Sequence, residues 1–93
     1  MSHTNKYKLV RDDEKIMYSN GIKWVAWNEN GTIKRTYDNP AINRSLIMYE
    51  PDKLTKYYNW LTKIITDIKI KRKDLIEFTT KNNNYKLYIN EKN

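Results

Sequence analysis

The sequence predicts a mainly β domain, a small antiparallel barrel or sandwich of six to seven short strands, and three observations carry that expectation. β-Branched and aromatic residues cluster in runs of four to eight, which fit a pleated half-buried surface. Asn- and Gly-containing turn signals separate the runs. Both glycines, Gly21 and Gly31, belong to such turns, and Pro40 and Pro51 stand where strands stop.

The elements follow in order. Ile16-Met17-Tyr18-Ser19 and Ile22-Lys23-Trp24-Val25-Ala26-Trp27 flank Asn20-Gly21. That dipeptide suits the positive φ values of a type I′ turn, so a hairpin is expected. Asn28-Glu29-Asn30-Gly31 makes a second turn, and Thr32-Ile33-Lys34-Arg35-Thr36-Tyr37 returns to complete a three-strand meander. Alternation sets Ile22 and Trp24 on one face, Val25 and Trp27 on the other. Asp38-Asn39-Pro40 breaks the sheet, and Ser45-Leu46-Ile47-Met48-Tyr49 is a further strand stopped by Glu50-Pro51.

The next segment supports two readings. Leu54, Tyr57, Tyr58, Leu61, Ile64, Ile65 and Ile68 follow helical spacing behind Pro51-Asp52, so one helix around residues 52–65 gives an α+β alternative. Thr55, Thr62, Ile64, Ile65, Thr66, Ile68 and Ile70 are β-branched, which favours strand over most of residues 58–71. Leu75–Thr80 and Tyr85–Ile89, joined through Lys81-Asn82-Asn83-Asn84, form a closing hairpin. The expected organisation is a single domain over residues 1–93, with loose tails at 1–6 and 91–93.

Charge comes next. Eighteen Lys and Arg against eleven Asp and Glu leave +7, unevenly spread: +2 over residues 1–50 and +5 over 51–93. Lysine outnumbers arginine 14 to 4, and Lys, Asn, Ile and Tyr make up 45 of 93 residues, the composition an AT-rich genome imposes. Part of the charge therefore reflects codon usage, and the rest points to a polyanion or an acidic partner. No apolar run exceeds Leu46-Ile47-Met48-Tyr49, far below the roughly 20 residues of a membrane span. A protein of the bacterial cytoplasm without membrane contact is expected.

The residue inventory is poor in catalytic groups. With no cysteine and one histidine, His3, the sequence offers no thiol nucleophile, Cys-based zinc site or His-centred triad. Gly21 and Gly31 both belong to turns, so no phosphate loop is present. No cofactor is expected. Pro51-Asp52 with Asp67-Ile68-Lys69 resembles the PD-(D/E)XK signature of metal-dependent nucleases, the minor enzymatic alternative. On one helix the two aspartates would stand about 22 Å apart, too far to share a metal.

The stronger signal is basic and aromatic. Lys69, Lys71, Arg72 and Lys73, with Lys63, Lys81 and Lys86, compose a positive strip suited to phosphates. Trp24, Trp27, Tyr57, Tyr58 and Trp60 are the candidate base-stacking residues. The same lysines also suit edge protection, and Trp24, Trp27, Trp60 and Phe78 also suit a core. A domain this small cannot enclose three Trp and eight Tyr, so aromatic surface must remain, with Tyr49, Tyr85 and Tyr88 further candidates.

Trp24-x-x-Trp27 before a turn glycine, Ser45-Leu46-Ile47, Asn59-Trp60-Leu61-Thr62, and Phe78-Thr79-Thr80-Lys81-Asn82 before Tyr85-x-Leu87 together resemble small accessory proteins of phages and plasmids of low-GC bacteria. That resemblance implies an anti-defence inhibitor, of the anti-CRISPR or nucleotide-messenger-sequestering kind. Two functions are thus expected: a non-enzymatic module binding nucleic acid or another polyanion through lysines and exposed aromatics, or an inhibitor docking on a host defence protein or ribonucleoprotein. Either is compatible with a homo-oligomer.

Overall fold

The computed structural model describes residues 5–50 and 60–90. They form nine strands and no helix: β1 (Tyr7–Arg11), β2 (Ile16–Ser19), β3 (Gly21–Trp27), β4 (Ile33–Tyr37), β5 (Arg44–Tyr49), β6 (Trp60–Leu61), β7 (Ile65–Arg72), β8 (Leu75–Thr80) and β9 (Asn84–Ile89). All pairings are antiparallel, in a five-stranded sheet ordered β2-β1-β9-β8-β7 and a four-stranded sheet ordered β4-β3-β5-β6. Neither sheet closes on itself, so the architecture is a sandwich and not a barrel.

One core lies between the sheets. Leu9, Ile65, Ile76, Phe78, Tyr85 and Leu87 come from the five-stranded sheet, and Trp24, Leu46 and Met48 from the other. Trp24 meets the Phe78 ring edge-on at 5.8 Å, and Phe78 stacks on Tyr85 at 4.9 Å, which ties the middle of one sheet to the middle of the other. Strict period-2 burial along β8 and β9 reflects this arrangement: Ile76, Phe78, Tyr85 and Leu87 point inward, and Glu77, Lys86 and Tyr88 point out.

Several predicted elements have the expected form. The β3–β4 hairpin turns through Asn28–Thr32, where Gly31 adopts φ +86° and donates to the Asn28 carbonyl. β5 and the β8–β9 hairpin also fall where the sequence puts them. Residues 60–72 are strand apart from a short link at 62–64, as the β-branched content requires. The helix alternative over 52–65 holds nowhere among residues 60–65; its remainder, residues 52–59, lies outside the described residues.

Asn20-Gly21 is different from expectation. Neither residue has a positive φ, the condition a type I′ turn needs, and β2 pairs with β1 instead of β3. The dipeptide is a corner where the chain leaves one sheet for the other. Buried Ser19 donates its hydroxyl to the Gly21 carbonyl at 2.8 Å, and the Asn20 amide bonds the Lys6 N–H at 3.0 Å and Glu50 at 3.0 Å. These bonds hold the corner extended. They also fix Lys6, whose carbonyl accepts the Asn90 N–H at 2.7 Å, so Lys6, which the sequence places in a loose tail, is held by hydrogen bonds through both of its backbone groups. The count rises from six or seven to nine because the segment expected as one strand over residues 58–71 supplies both β6 and β7, and because β1, which the sequence pattern does not reveal, joins the larger sheet.

Candidate nucleic-acid interface

The outward face of the five-stranded sheet is built from residues brought together across the whole chain. Strand register gives its rows. Tyr18 lies opposite Lys8, Lys8 opposite Tyr88, Tyr88 opposite Leu75 and Leu75 opposite Arg72. The next row is Ile16, Val10, Lys86, Glu77 and Lys69. A third row, at one end of the face, holds Asn84, Thr79 and Asp67, with Asp12 accepting from the Asn84 N–H at 3.1 Å. Neighbouring strands are about 4.8 Å apart, so the Tyr18-to-Arg72 row extends about 19 Å across four strand gaps.

The charge on this face is polarised. The first two rows carry Lys8, Arg72, Lys86 and Lys69 against Glu77, a net positive charge, whereas Asp12 and Asp67 stand at the third. Tyr18 is 49% exposed and Tyr88 37%, large values for rings inside a sheet rather than in a loop. The Lys8 ammonium lies 5.7 Å from the Tyr88 ring centroid, a cation held against an aromatic face. Arg72 bonds Asp74 at 3.0 Å, which lowers the Asp74 carboxyl below its ordinary range and fixes the guanidinium at the end of the row. Two shallow depressions lie along the face. One of about 530 Å³ runs among Lys6, Lys8, Tyr18, Arg72 and Tyr88, and one of about 520 Å³ among Val10, Asp67, Lys69, Glu77 and Lys86.

Of the residues the sequence singles out, this face unites Lys69, Arg72 and Lys86. Lys71 is exposed, but an irregularity between Ile70 and Arg72 interrupts the alternation that would align it with Lys69. Lys73 lies in the β7–β8 turn, Lys81 in the β8–β9 turn and Lys63 in the link after β6, so they make no common strip with the face. Trp24 is corrected outright. At 1% exposure it belongs to the core and cannot stack on a base, because the inward face of β3 is the side covered by the other sheet. Tyr85, at 4%, is likewise core. Trp27 is half-buried on the opposite outer face, its indole N–H donating to Ser45 at 2.9 Å. Tyr57, Tyr58, His3 and the Pro51-Asp52 part of the nuclease signature lie outside the described residues.

Trp60 forms a separate cluster. Its ring lies under Lys15 at 4.9 Å and Arg11 at 5.4 Å, and Arg11 chelates Asp13 through two bonds of 2.9 and 2.7 Å. The paired guanidinium pulls the Asp13 carboxyl down to about 2 from its usual 3.8, and the carboxylate in turn raises the Arg11 pKa. A carboxyl with a lowered folded-state pKa stabilises fully above its unfolded value and loses that contribution as pH falls through the folded value. Melting temperatures of the wild type and Asp13→Asn should therefore differ slightly at about pH 5 and converge only as pH falls below about 2. A gap independent of pH would show that the pair contributes nothing through ionisation.

Among the described residues no three His, Cys, Asp or Glu side chains are grouped to hold a metal. No helix of the described residues is long and apolar enough to cross a membrane. Comparisons of the chain with protein-family models, with curated proteins and with solved structures return no match.

Proposed function

We propose that the protein binds single-stranded nucleic acid, without catalysis, on the outward face of its five-stranded sheet. The observation that carries this reading is the row Tyr18, Lys8, Tyr88, Leu75, Arg72: two exposed rings with a lysine between them and an arginine at the far end. Rings offer stacking surfaces to any base, and cations alongside neutralise the phosphates between those bases. Asp12 and Asp67 repel phosphate from the other end, so the strand runs along the tyrosine row, across the direction of the β-strands. A flat platform suits unpaired bases better than a duplex, whose bases are already stacked.

The test is a titration of a fluorescent oligothymidylate of about ten nucleotides, repeated over a range of salt concentrations. Up to four phosphate contacts, from Lys8, Lys69, Arg72 and Lys86, give an expected slope of log K against log salt of about −2 to −3. Lys8→Ala should make that slope shallower by about 0.7. Absence of binding at low salt, or a slope that Lys8→Ala leaves unchanged, would overturn the reading.

Exposed Ile16, at 46%, beside Val10 on the same face favours a second reading, inhibition by docking on an acidic protein of a host defence system. That reading calls for a stoichiometric protein complex less salt-sensitive than phosphate binding. The same titration separates the two.

A further inference from the structure

β7 is the outermost strand of the larger sheet, eight residues long, and exposed from Thr66 onward except for half-buried Ile68. Ile70, at 66%, is the most exposed large hydrophobic residue described. It stands on the core-facing side of the sheet, opposite buried Ile76, beyond the cover the four-stranded sheet provides. Beside it on the outward face, Asp67 and Lys69 take part in none of the ion pairs of the described residues, which are Arg11–Asp13, Lys23–Asp38 and Arg72–Asp74. The Ile65 carbonyl at the start of β7 accepts the Asn43 N–H at 2.9 Å; beyond it, an open edge with an exposed isoleucine and unused charges of both signs is a surface for another strand.

We propose that the occupant is a second copy of this chain, whose β7 pairs antiparallel with the first about a two-fold axis at Ile68. In that register Asp67 faces the partner's Lys69 and Lys69 faces the partner's Asp67, two opposite-charge pairs with no like-charge pair. Ile68 meets the partner's Ile68 on the core side, and Ile70 reaches toward the partner's Thr66 at the irregular end of the strand. Shifting the axis to Asp67 or Lys69 sets identical charges against each other, and a shift to Ile70 opposes Lys69 to Lys71. The regular pairing of β7 with β8 over Asp67–Ile70 leaves the strand flat enough for this contact, bounded by an irregularity on each side.

The other long edge does not offer the same fit. β4 carries Lys34 and Arg35 and no acid, so two copies would repel. The β7 pairing continues each five-stranded sheet into one of ten strands, related by the two-fold axis. It rests on the geometry of the β7 edge and not on the nucleic-acid reading, with which it shares Lys69.

The experiment is light scattering and sedimentation of the full chain across concentration. The wild type should move from 11.3 kDa toward twice that mass as concentration rises. Asp67→Lys should weaken association about tenfold or more, as should Lys69→Asp, each by creating two like-charge pairs. An equimolar mixture of the two variants should dimerise again, because a heterodimer restores both opposite-charge pairs. That recovery also shows that both variants are folded. In this cysteine-free chain Ile68→Cys should cross-link to itself under oxidation, and Thr66→Cys, whose opposite residue is Ile70, should not. A monomer at all concentrations up to about 1 mM, a dimer indifferent to Asp67→Lys, or a mixture that stays monomeric would overturn the proposal.

Discussion

Trp24→Ala is expected to lower the melting temperature by about 12–40 °C, from a loss of about 3–5 kcal/mol at about 4–8 °C per kcal/mol for a chain of this size. Trp24 is 1% exposed and stands between the sheets, edge-on to Phe78, which stacks on Tyr85. Removing the indole leaves a cavity that two β-sheets cannot collapse around, since each is held in register by its own ladders. A domain of this length has a total stability of only about 5–14 kcal/mol, so the loss is a large share of it. Trp27→Ala is the matched control. Trp27 is half-buried on the outer face and its one polar contact is with Ser45, so its loss should be well under half that of Trp24. Calorimetry of the two variants gives the comparison, and equal losses would mean that the inward and outward faces of β3 have been misassigned.

The contrast between those two tryptophans also marks what is legible in a sequence. Alternation puts Trp24 and Trp27 on opposite faces, but it does not say which face another sheet covers. Local patterning succeeds where both partners of a pairing are neighbours in the chain: Phe78-Thr79-Thr80 and Tyr85-Lys86-Leu87 alternate on either side of an Asn-rich turn and do pair. It fails at Asn20-Gly21, because the dipeptide permits a type I′ turn without requiring one. The competing partner for β2, the stretch Tyr7-Lys8-Leu9-Val10-Arg11, has one fully buried residue, Leu9, and a charge at two of five positions, so its strand signal is faint. Missing β1 hides the site as well. Lys8 and Tyr88 are 80 residues apart in sequence and adjacent in the sheet, a juxtaposition only the β1–β9 pairing creates. The contiguous run Lys69–Lys73, the most visible basic feature, is by contrast divided between a sheet face, an irregular strand end and a turn.

Replacing both Tyr18 and Tyr88 by alanine is expected to weaken binding of the oligothymidylate by about 30-fold to 10⁴-fold, because each lost base–aromatic stack is worth about 1–3 kcal/mol. The fold should survive the change. Both rings are exposed on the outward face, away from the core, and alanine is tolerated in a strand whose inward residues remain. Both rings have Lys8 as a cationic neighbour, whose backbone is fixed by pairing of β1 on both sides, so its charge stays on the face when the rings are removed. The salt slope of the double variant should consequently match that of the wild type while the affinity falls, separating stacking from phosphate contact. Phenylalanine at both positions should retain most of the affinity, because stacking uses the ring face and not the hydroxyl. Fluorescence anisotropy of the three proteins at one salt concentration, followed by the salt series, distinguishes the outcomes. If the alanine variant binds as the wild type does, the tyrosine row is not the platform. If phenylalanine is as harmful as alanine, the hydroxyls and not the rings make the contact, and the stacking mechanism fails.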